Sequence, residues 1–150
     1  MWAPGRIPAG TECNELMGTI DLLPTIAELT KTPLPKGKKI DGLNAASLLE
    51  GGNDSPRKEF IYYTSRGDLE GLRQGKWKIL VKKKRKPRNA GKNWKAPAPE
   101  ILLFDMENDL GEKNNLADDN PQKVKELTAR MNVLDAEITK NAREPWYKKQ

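Results

Sequence analysis

Hydrophobic residues recur at intervals of three and four positions along the last part of the chain. Such spacing places them on one stripe of an amphipathic helix, with charged residues on the other faces. The stripe consists of Val124, Leu127, Met131, Leu134 and Ile138. Asn120 is a favourable N-cap residue, Pro121 suits the first helical position, and Pro145 should stop the helix. The pattern therefore predicts a helix over 121–142, roughly 30 Å long at the usual rise per residue.

Upstream of this helix the hydrophobic period changes to two, as in half-buried strands. Strands are predicted in FIYYT (60–64), in the two arms of GLRQGKWKILVK (71–82) and in ILLFD (101–105). The two arms form a hairpin that turns at Gln74-Gly75, and Trp77, Ile79 and Val81 share one face of the second arm. This part of the chain is therefore predicted to be α+β, with a small four-stranded antiparallel sheet packed by the C-terminal helix.

The first 55 residues follow a different pattern. A helix should begin with Thr19 as its N-cap and Asp21 in its first turn, and a shorter helix capped by Asn44 should end at Gly51. The first helix carries more apolar residues than a one-sided stripe needs, namely Ile20, Leu22, Leu23, Ile26 and Leu29. We expect this helix to pack on a larger sheet that the chain lacks, and to present an apolar patch without it.

One stretch is strongly basic. KWKILVKKKRKPRNAGKNWK (76–95) contains ten Lys or Arg residues and no acidic residue, in a chain of 150 residues with a net charge of +6. Removing those ten charges leaves a net charge of −4 on the other 130 residues. Nucleic-acid-binding proteins more often spread their basic residues over a whole face.

The part of this stretch at 82–95, the basic loop, contains Pro87 and falls between two predicted strands. A charged segment in that position is usually a solvated loop, and we interpret it so. The alternative is a nucleic-acid-binding module, in which Trp94 between Lys92 and Lys95 would stack on a base. The predicted strands favour the first interpretation, because they do not carry an array of basic residues beside exposed aromatic ones.

The composition excludes several kinds of catalytic and metal site. The chain has no histidine and one cysteine, Cys13, which rules out Ser-His-Asp and Cys-His catalysis, histidine-ligated metals and cysteine zinc clusters. Neither neighbour of Cys13 is cationic, so nothing local would lower its pKa, and we interpret it as an inert thiol. Asp21 lies in a first helical turn, where aspartate is ordinarily structural. No apolar run reaches the length of a membrane span, so no membrane partner is expected.

An acidic segment, DMENDLGE (105–112), partly matches a calcium-binding EF-hand loop. Ligand-type residues stand at the first, third and fifth positions, namely Asp105, Glu107 and Asp109. Leu110 replaces the required glycine, however, and Leu116 replaces the bidentate glutamate. We interpret the segment as a turn in which Asp and Asn side chains bond to backbone N–H groups and Gly111 adopts a positive φ. No catalytic, cofactor-binding or metal-binding residue is therefore assigned in this chain.

Several stretches, taken together and in order, resemble the sulfatase family. APGRIPAGTECNELMGTIDLLPTIAEL (3–29) resembles a W-P-G-like turn followed by D-L-x-P-T at the opening of a helix. KIDGLNAASLLEGG (39–52) is similar to that family's I-D-G-x-x-x-x-x-L-L-x-G. LRQGKWKIL (72–80) and LLFDMENDLGEKNNLA (102–117) resemble its R-x-G-x-W-K-L strand and its L-Y-D-L-x-x-D-P-x-E-x-x-N-L-A strand and turn. The resemblance leaves out the basic loop and the last few residues.

The resemblance implies an alkaline-phosphatase-like α/β hydrolase of sulfate esters, whose large N-terminal domain carries the chemistry. It assigns residues 1–55 to the end of that large domain and 56–150 to the small C-terminal subdomain. Calcium and a formylglycine, made from the Cys or Ser of a C/S-x-P-S-R motif, are the cofactors expected of the full-length enzyme. Neither Cys13-Asn14-Glu15 nor Ser55-Pro56-Arg57 fits that motif. The family's calcium ligands lie in motifs upstream of the matched stretches.

These observations predict the C-terminal portion of a sulfatase that has no catalysis by itself, completes the fold and helps to shape the substrate opening. Its partners would be the missing N-terminal sulfatase domain and, in the full-length enzyme, a sulfated substrate. The alternatives are a small basic nucleic-acid-binding module and a fragment of a related phosphodiesterase of the same superfamily. The chain indicates no compartment, and the resemblance adds only that full-length sulfatases are often periplasmic or secreted.

Overall fold

The computed structural model describes residues 3–37, 39–89 and 91–143 and divides the chain into two compact units, with the boundary between Glu59 and Phe60. The helices of the first unit are α1 (Leu22–Leu29) and α2 (Ala46–Leu49). They are followed by strands β1 (Glu59–Tyr63), β2 (Leu69–Gln74), β3 (Trp77–Lys82) and β4 (Glu100–Asp105) and by helix α3 (Pro121–Asn141). Within the described residues, no helix is long and apolar enough to cross a membrane.

The four strands form one antiparallel sheet in chain order, which confirms the predicted architecture. The predicted hairpin turn was wrong by one residue. Gln74 pairs with Trp77 in the ladder between β2 and β3, so the two loop residues are Gly75 and Lys76. A two-residue hairpin loop needs a positive φ at its first position. Gly75 supplies it with φ 55°, and this fixes the register of the hairpin.

The core of the second unit lies between this sheet and α3. Its buried residues are Leu72, Ile79, Leu103, Leu127 and Met131, and Trp77 and Val81 pack against them on the predicted face of β3. Ile138 was expected in the same stripe, but it is 37% exposed. It lies two turns beyond Met131, about 10 Å farther along the helix.

The start of α3 is as predicted, with Asn120 at the N-cap position and Pro121 as the first helical residue. The Asn120 side chain makes no capping hydrogen bond, however. Its Nδ2 donates to the Leu116 carbonyl at 3.0 Å, which ties the helix start to the preceding segment. The predicted stop at Pro145 lies outside the described residues.

The edge of the sheet at β4 is protected by the segment that follows the acidic turn. Asn115 Oδ1 accepts the Leu103 N–H at 2.9 Å, and Leu116 N–H donates to the Leu103 carbonyl at 2.8 Å. An unprotected edge strand would leave these backbone groups free to pair with another chain. This is the structural role of the N-N-L-A stretch at 114–117 that carries part of the family resemblance.

The first unit corrects two sequence predictions, both of an N-cap residue. Thr19 is not the N-cap of a long helix: Gly18 precedes a 3-10 turn at Thr19–Asp21, and α1 begins only at Leu22, because Pro24 suits no position beyond a first helical turn. Asn44 does not occupy the N-cap of α2, which is Ala45, although its Oδ1 accepts the Ala46 N–H at 3.0 Å. The predicted end of α2 before Gly51 is correct, since this residue has φ 94°.

Candidate functional site

Asp21 is the most completely engaged carboxylate in the first unit, where it is 1% exposed. The Arg57 guanidinium donates hydrogen bonds to both carboxylate oxygens of Asp21, from Nε to Oδ2 at 2.7 Å and from Nη2 to Oδ1 at 2.5 Å. Two backbone N–H groups complete its coordination, those of Gly18 at 2.8 Å and Leu43 at 2.7 Å. Such bidentate, charge-assisted contacts are the strongest hydrogen bonds that proteins commonly form.

These contacts decide the ionisation of Asp21. Burial alone would raise the pKa of this carboxyl group, but the hydrogen bonds from Arg57, Leu43 and Gly18 outweigh burial and lower the pKa to about 2. Asp21 is therefore a carboxylate at every physiological pH and has no lone pair left without a donor. A general acid or base needs a pKa near the working pH and access to the substrate, so Asp21 has neither property.

The same network joins four separate parts of the first unit. Thr25 Oγ1 donates to the Asp21 carbonyl at 2.6 Å and accepts the Ala45 N–H at 3.0 Å. Arg57 Nη2 also donates to the Asp41 carbonyl at 2.9 Å. Segments around positions 18, 21–25, 41–45 and 57 are thereby held together by buried polar contacts. The predicted structural role of Asp21 is thus supported by the geometry, and Arg57 is its partner.

Ser55 belongs to the same region and is buried. Its hydroxyl donates to the Leu16 carbonyl at 2.5 Å and accepts the Arg57 N–H at 3.0 Å. Gly42 lies at a second tight contact, because a Cβ at this position would stand 2.0 Å from the Ile20 carbonyl oxygen. These two contacts give a physical reason for the I-D-G sequence and for the Ser-Pro-Arg sequence, and that reason is packing.

The acidic segment after β4 is a turn, as predicted. Asp105 Oδ1 accepts the N–H of Glu107 at 3.0 Å, while its Oδ2 accepts from Lys76 Nζ at 2.8 Å and from the Asn108 side chain at 3.0 Å. The Lys76 ammonium lowers the pKa of Asp105, and against the opposing effect of burial the pKa falls to about 2. The positive φ was assigned to the wrong residue, because Glu112, with φ 54°, adopts it rather than Gly111.

The residues of this turn do not fit a calcium ion. A calcium site gathers six to eight oxygen ligands around one point. Asp105 is instead neutralised by Lys76, and Asp109 accepts the Asn114 N–H at 2.7 Å. In the described part of the chain, no three His, Cys, Asp or Glu side chains are grouped so that they could hold a metal ion.

Two residues could be considered as precursors of a formylglycine, namely Cys13 and Ser55. Cys13 is an exposed free thiol in an irregular segment, and Ser55 is buried with its hydroxyl committed to the backbone. Neither lies in a C/S-x-P-S-R sequence. Among the described residues, neither the acidic turn at 105–112 nor Cys13 or Ser55 therefore fits the cofactors that the resemblance implies.

Two surfaces remain unexplained by internal contacts. The first is the α1 face, formed by Ile20, Leu23 and Ile26, which are 44%, 52% and 54% exposed. The second is the basic loop, whose described residues are exposed except for the half-buried Trp94. Isolated apolar residues on a surface are normal, but a contiguous group of large ones marks a place where another surface packs. The α1 face contains three of the five apolar residues expected in this patch, whereas Leu22 and Leu29 are half-buried.

Sequence reasoning missed the partners in every buried polar contact. Arg57 lies 36 positions from Asp21, and Lys76 lies 29 positions from Asp105. Tyr63 was assigned only to a strand, but its hydroxyl donates to Asp135 Oδ1 at 2.8 Å, and burial together with this contact raises the pKa of Tyr63 to about 12. A single sequence contains no local signal for such long-range pairs.

Comparison with known proteins shows that this chain is similar to sulfatases. No protein-family model matches the chain. Arylsulfatase A of Homo sapiens is 33% identical over 156 residues, which cover 91% of this chain and 30% of that protein. Steryl-sulfatase of Homo sapiens is 32% identical over 93 residues, covering 62% of this chain and 14% of that protein.

Among solved structures, the PsFucS1 sulfatase from Pseudoalteromonas sp. is similar in fold. Its TM-score is 0.70 at 23% identity, and the similarity covers 94% of this chain and 30% of that one. The chain thus spans about a third or less of the length of the proteins that it matches. Because arylsulfatase A is 33% identical over 91% of this chain, the chain belongs to the sulfatase family, and it corresponds to the C-terminal portion of its members.

Proposed function

We propose that the chain supplies the C-terminal part of a sulfatase catalytic domain, completes the fold of that domain and borders its substrate opening, without catalysing hydrolysis by itself. The observation that carries this proposal is the apolar α1 face, whose Leu23 lies within the D-L-L-P-T sequence at 21–25 and whose Ile20 and Ile26 flank that sequence. A helix with buried polar contacts on one side and large apolar side chains on the other is built to be covered on both sides.

The rest of such an enzyme would supply the chemistry. Sulfate-ester hydrolysis needs a strong nucleophile and several cations around the sulfuryl oxygens. In the full-length enzyme these would be a formylglycine and calcium, held by residues of the larger N-terminal part. This chain would contribute packing for that part and one wall of the opening through which a sulfated substrate enters. Its buried carboxylates Asp21 and Asp105 would keep their structural roles.

Polar substitutions on the α1 face test this proposal. The isolated wild-type chain should bind a hydrophobic dye and scatter light in excess of a monomer, because the face has no cover. The double variant Leu23→Gln/Ile26→Gln should lower dye fluorescence and scattering by about half or more, since these two side chains are the most exposed members of the face. Dye fluorescence and static light scattering are the measurements.

A matched control is available in the second unit. Leu110 and Val133 are exposed to a similar or greater degree, at separate places, and Leu110→Gln/Val133→Gln should leave both signals nearly unchanged. If the wild-type chain is a monodisperse monomer without dye binding, the α1 face needs no partner. The proposed packing role would then be wrong, although membership of the family would stand.

A further inference from the structure

The basic loop concentrates positive charge at one exposed place in the second unit. It connects the end of β3 at Lys82 to the segment before β4 and contains eight cationic residues without a single acidic one. These residues are Lys82, Lys83, Lys84, Arg85, Lys86, Arg88, Lys92 and Lys95. All eight are exposed. Like charges held this close repel one another, and an anionic partner would relieve that repulsion.

One surface ion pair engages a single cation of the basic loop. Arg85 Nη2 lies 2.6 Å from Asp68 Oδ2, in the turn between β1 and β2. Within the described residues, the side chains of the loop's other cations have no hydrogen bond or ion pair. The ammonium groups of Lys83, Lys84 and Lys86 are exposed to solvent.

We propose that the basic loop binds the sulfate groups of a sulfated polysaccharide. This inference rests on the proposed function, because it takes its ligand class from a sulfatase. Short Lys/Arg-rich runs such as 82–86 are typical of surface patches that bind heparin-like polymers or nucleic acids. Along an extended backbone, five consecutive cations span about 14 Å, enough to follow several anionic groups of one polymer.

The composition of the loop favours a sulfated polymer over nucleic acid. Six of the eight cations are lysines, which act as point charges, and Arg85 is already paired with Asp68. Base recognition relies mainly on the planar guanidinium fork and on stacking platforms. The only aromatic residue of the loop, Trp94, is half-buried. A ligand that needs only charge, repeated along a chain, matches this surface best.

The test compares two variants with the same loss of charge. The loop variant carries Lys82→Gln, Lys83→Gln, Lys84→Gln and Lys86→Gln, and keeps Arg85 because of its ion pair. The control variant carries Lys36→Gln, Lys39→Gln, Lys125→Gln and Lys140→Gln, all at exposed positions outside the loop. Both should melt within a few degrees of the wild type, because exposed substitutions rarely change stability by more than about 0.5 kcal/mol.

Isothermal titration with dextran sulfate, uncharged dextran and a single-stranded DNA of equal charge gives the readout. We expect the wild-type chain to bind dextran sulfate, the loop variant to bind it about tenfold or more weakly, and the control variant to bind it nearly as well as the wild type. Affinity should fall by about a hundredfold between 50 and 200 mM salt if four charges are neutralised. Uncharged dextran should not bind.

Three results would overturn the inference. Binding of DNA through the loop with equal or greater affinity would assign the loop to nucleic acid. Equal weakening in the loop and control variants would show a general charge effect, and absence of dextran sulfate binding would remove the site. The titration involves neither hydrolysis nor the α1 face, so its failure is distinct from failure of the proposed function, which the dye and scattering experiment detects.

Discussion

Replacing Arg57 with alanine is expected to lower the free energy of opening of the segments around Asp21 by about 3–5 kcal/mol, the usual result of removing one member of a buried ion pair. The substitution leaves a carboxylate that is 1% exposed without its guanidinium partner, whose own side chain is only 11% exposed. Native-state hydrogen exchange of the Gly18 and Leu43 amides measures this opening directly, because both N–H groups donate to Asp21.

The neighbouring cation provides the control for this prediction. Lys58 forms an ion pair with Asp54 in which both side chains are largely exposed. Surface pairs of this kind contribute about 0–1 kcal/mol, so Lys58→Ala should leave exchange at Gly18 and Leu43 almost unchanged. Similar protection in Arg57→Ala and Lys58→Ala would show that the Asp21 contacts do not hold the first unit together.

Acid should weaken the same network in a defined pH window. The pKa of Asp21 is lowered from its ordinary 3.8 to about 2. A carboxyl group with a lowered pKa in the folded state stabilises that state above its ordinary pKa, and the stabilisation is lost as the pH falls through the lowered value. After correction for intrinsic exchange, the opening free energy at Leu43 should be constant near neutral pH and decline between about pH 4 and pH 2.

Truncation of a core side chain should lower the stability of the second unit by a similar amount. Leu127 is fully buried between α3 and the sheet, where it contacts the cluster formed by Leu72, Ile79 and Leu103. Leu127→Ala removes most of its side chain and leaves a cavity that the sheet cannot easily fill, which typically costs about 2–5 kcal/mol. We expect that loss in the free energy of unfolding measured by urea denaturation with circular dichroism.

Lys125→Ala is the matched control, because this residue lies half a turn away on the exposed side of α3. It should change the free energy of unfolding by no more than about 0.5 kcal/mol. Equal losses in the two variants would contradict the packing of α3 on the sheet. Since α3 carries the largest helical signal of the chain, its unfolding dominates the measurement.

The elements of the second unit were predictable because their signals are local. A stripe such as Val124, Leu127 and Met131, or an alternation such as Trp77, Ile79 and Val81, is visible within a dozen residues and has one interpretation at that length. The hairpin turn was misplaced by one residue because both Gln74-Gly75 and Gly75-Lys76 contain the glycine. Only the paired register decides between them.

The polar contacts could not be predicted because they depend on chain segments far apart in sequence. Asp21 was correctly assigned a structural role, but nothing near it indicates that Arg57 is its partner. Asn120 differs, because its side chain bonds to Leu116, only four positions away, where capping α3 was an equally local alternative. The α1 face, in contrast, could be predicted because its signal is local. An excess of apolar residues within one short segment indicates that another surface packs there.

An assay of the purified 150-residue chain with a chromogenic aryl sulfate in the presence of calcium tests directly whether this chain can hydrolyse sulfate esters by itself. An active arylsulfatase in the same buffer serves as the positive control. We expect the chain to release no chromophore above the enzyme-free blank, because Asp21 and Asp105 are committed to structural contacts and neither Cys13 nor Ser55 lies in a C/S-x-P-S-R sequence. Turnover that rises in proportion to the concentration of the chain would contradict the account, since it would require a catalytic centre within these residues.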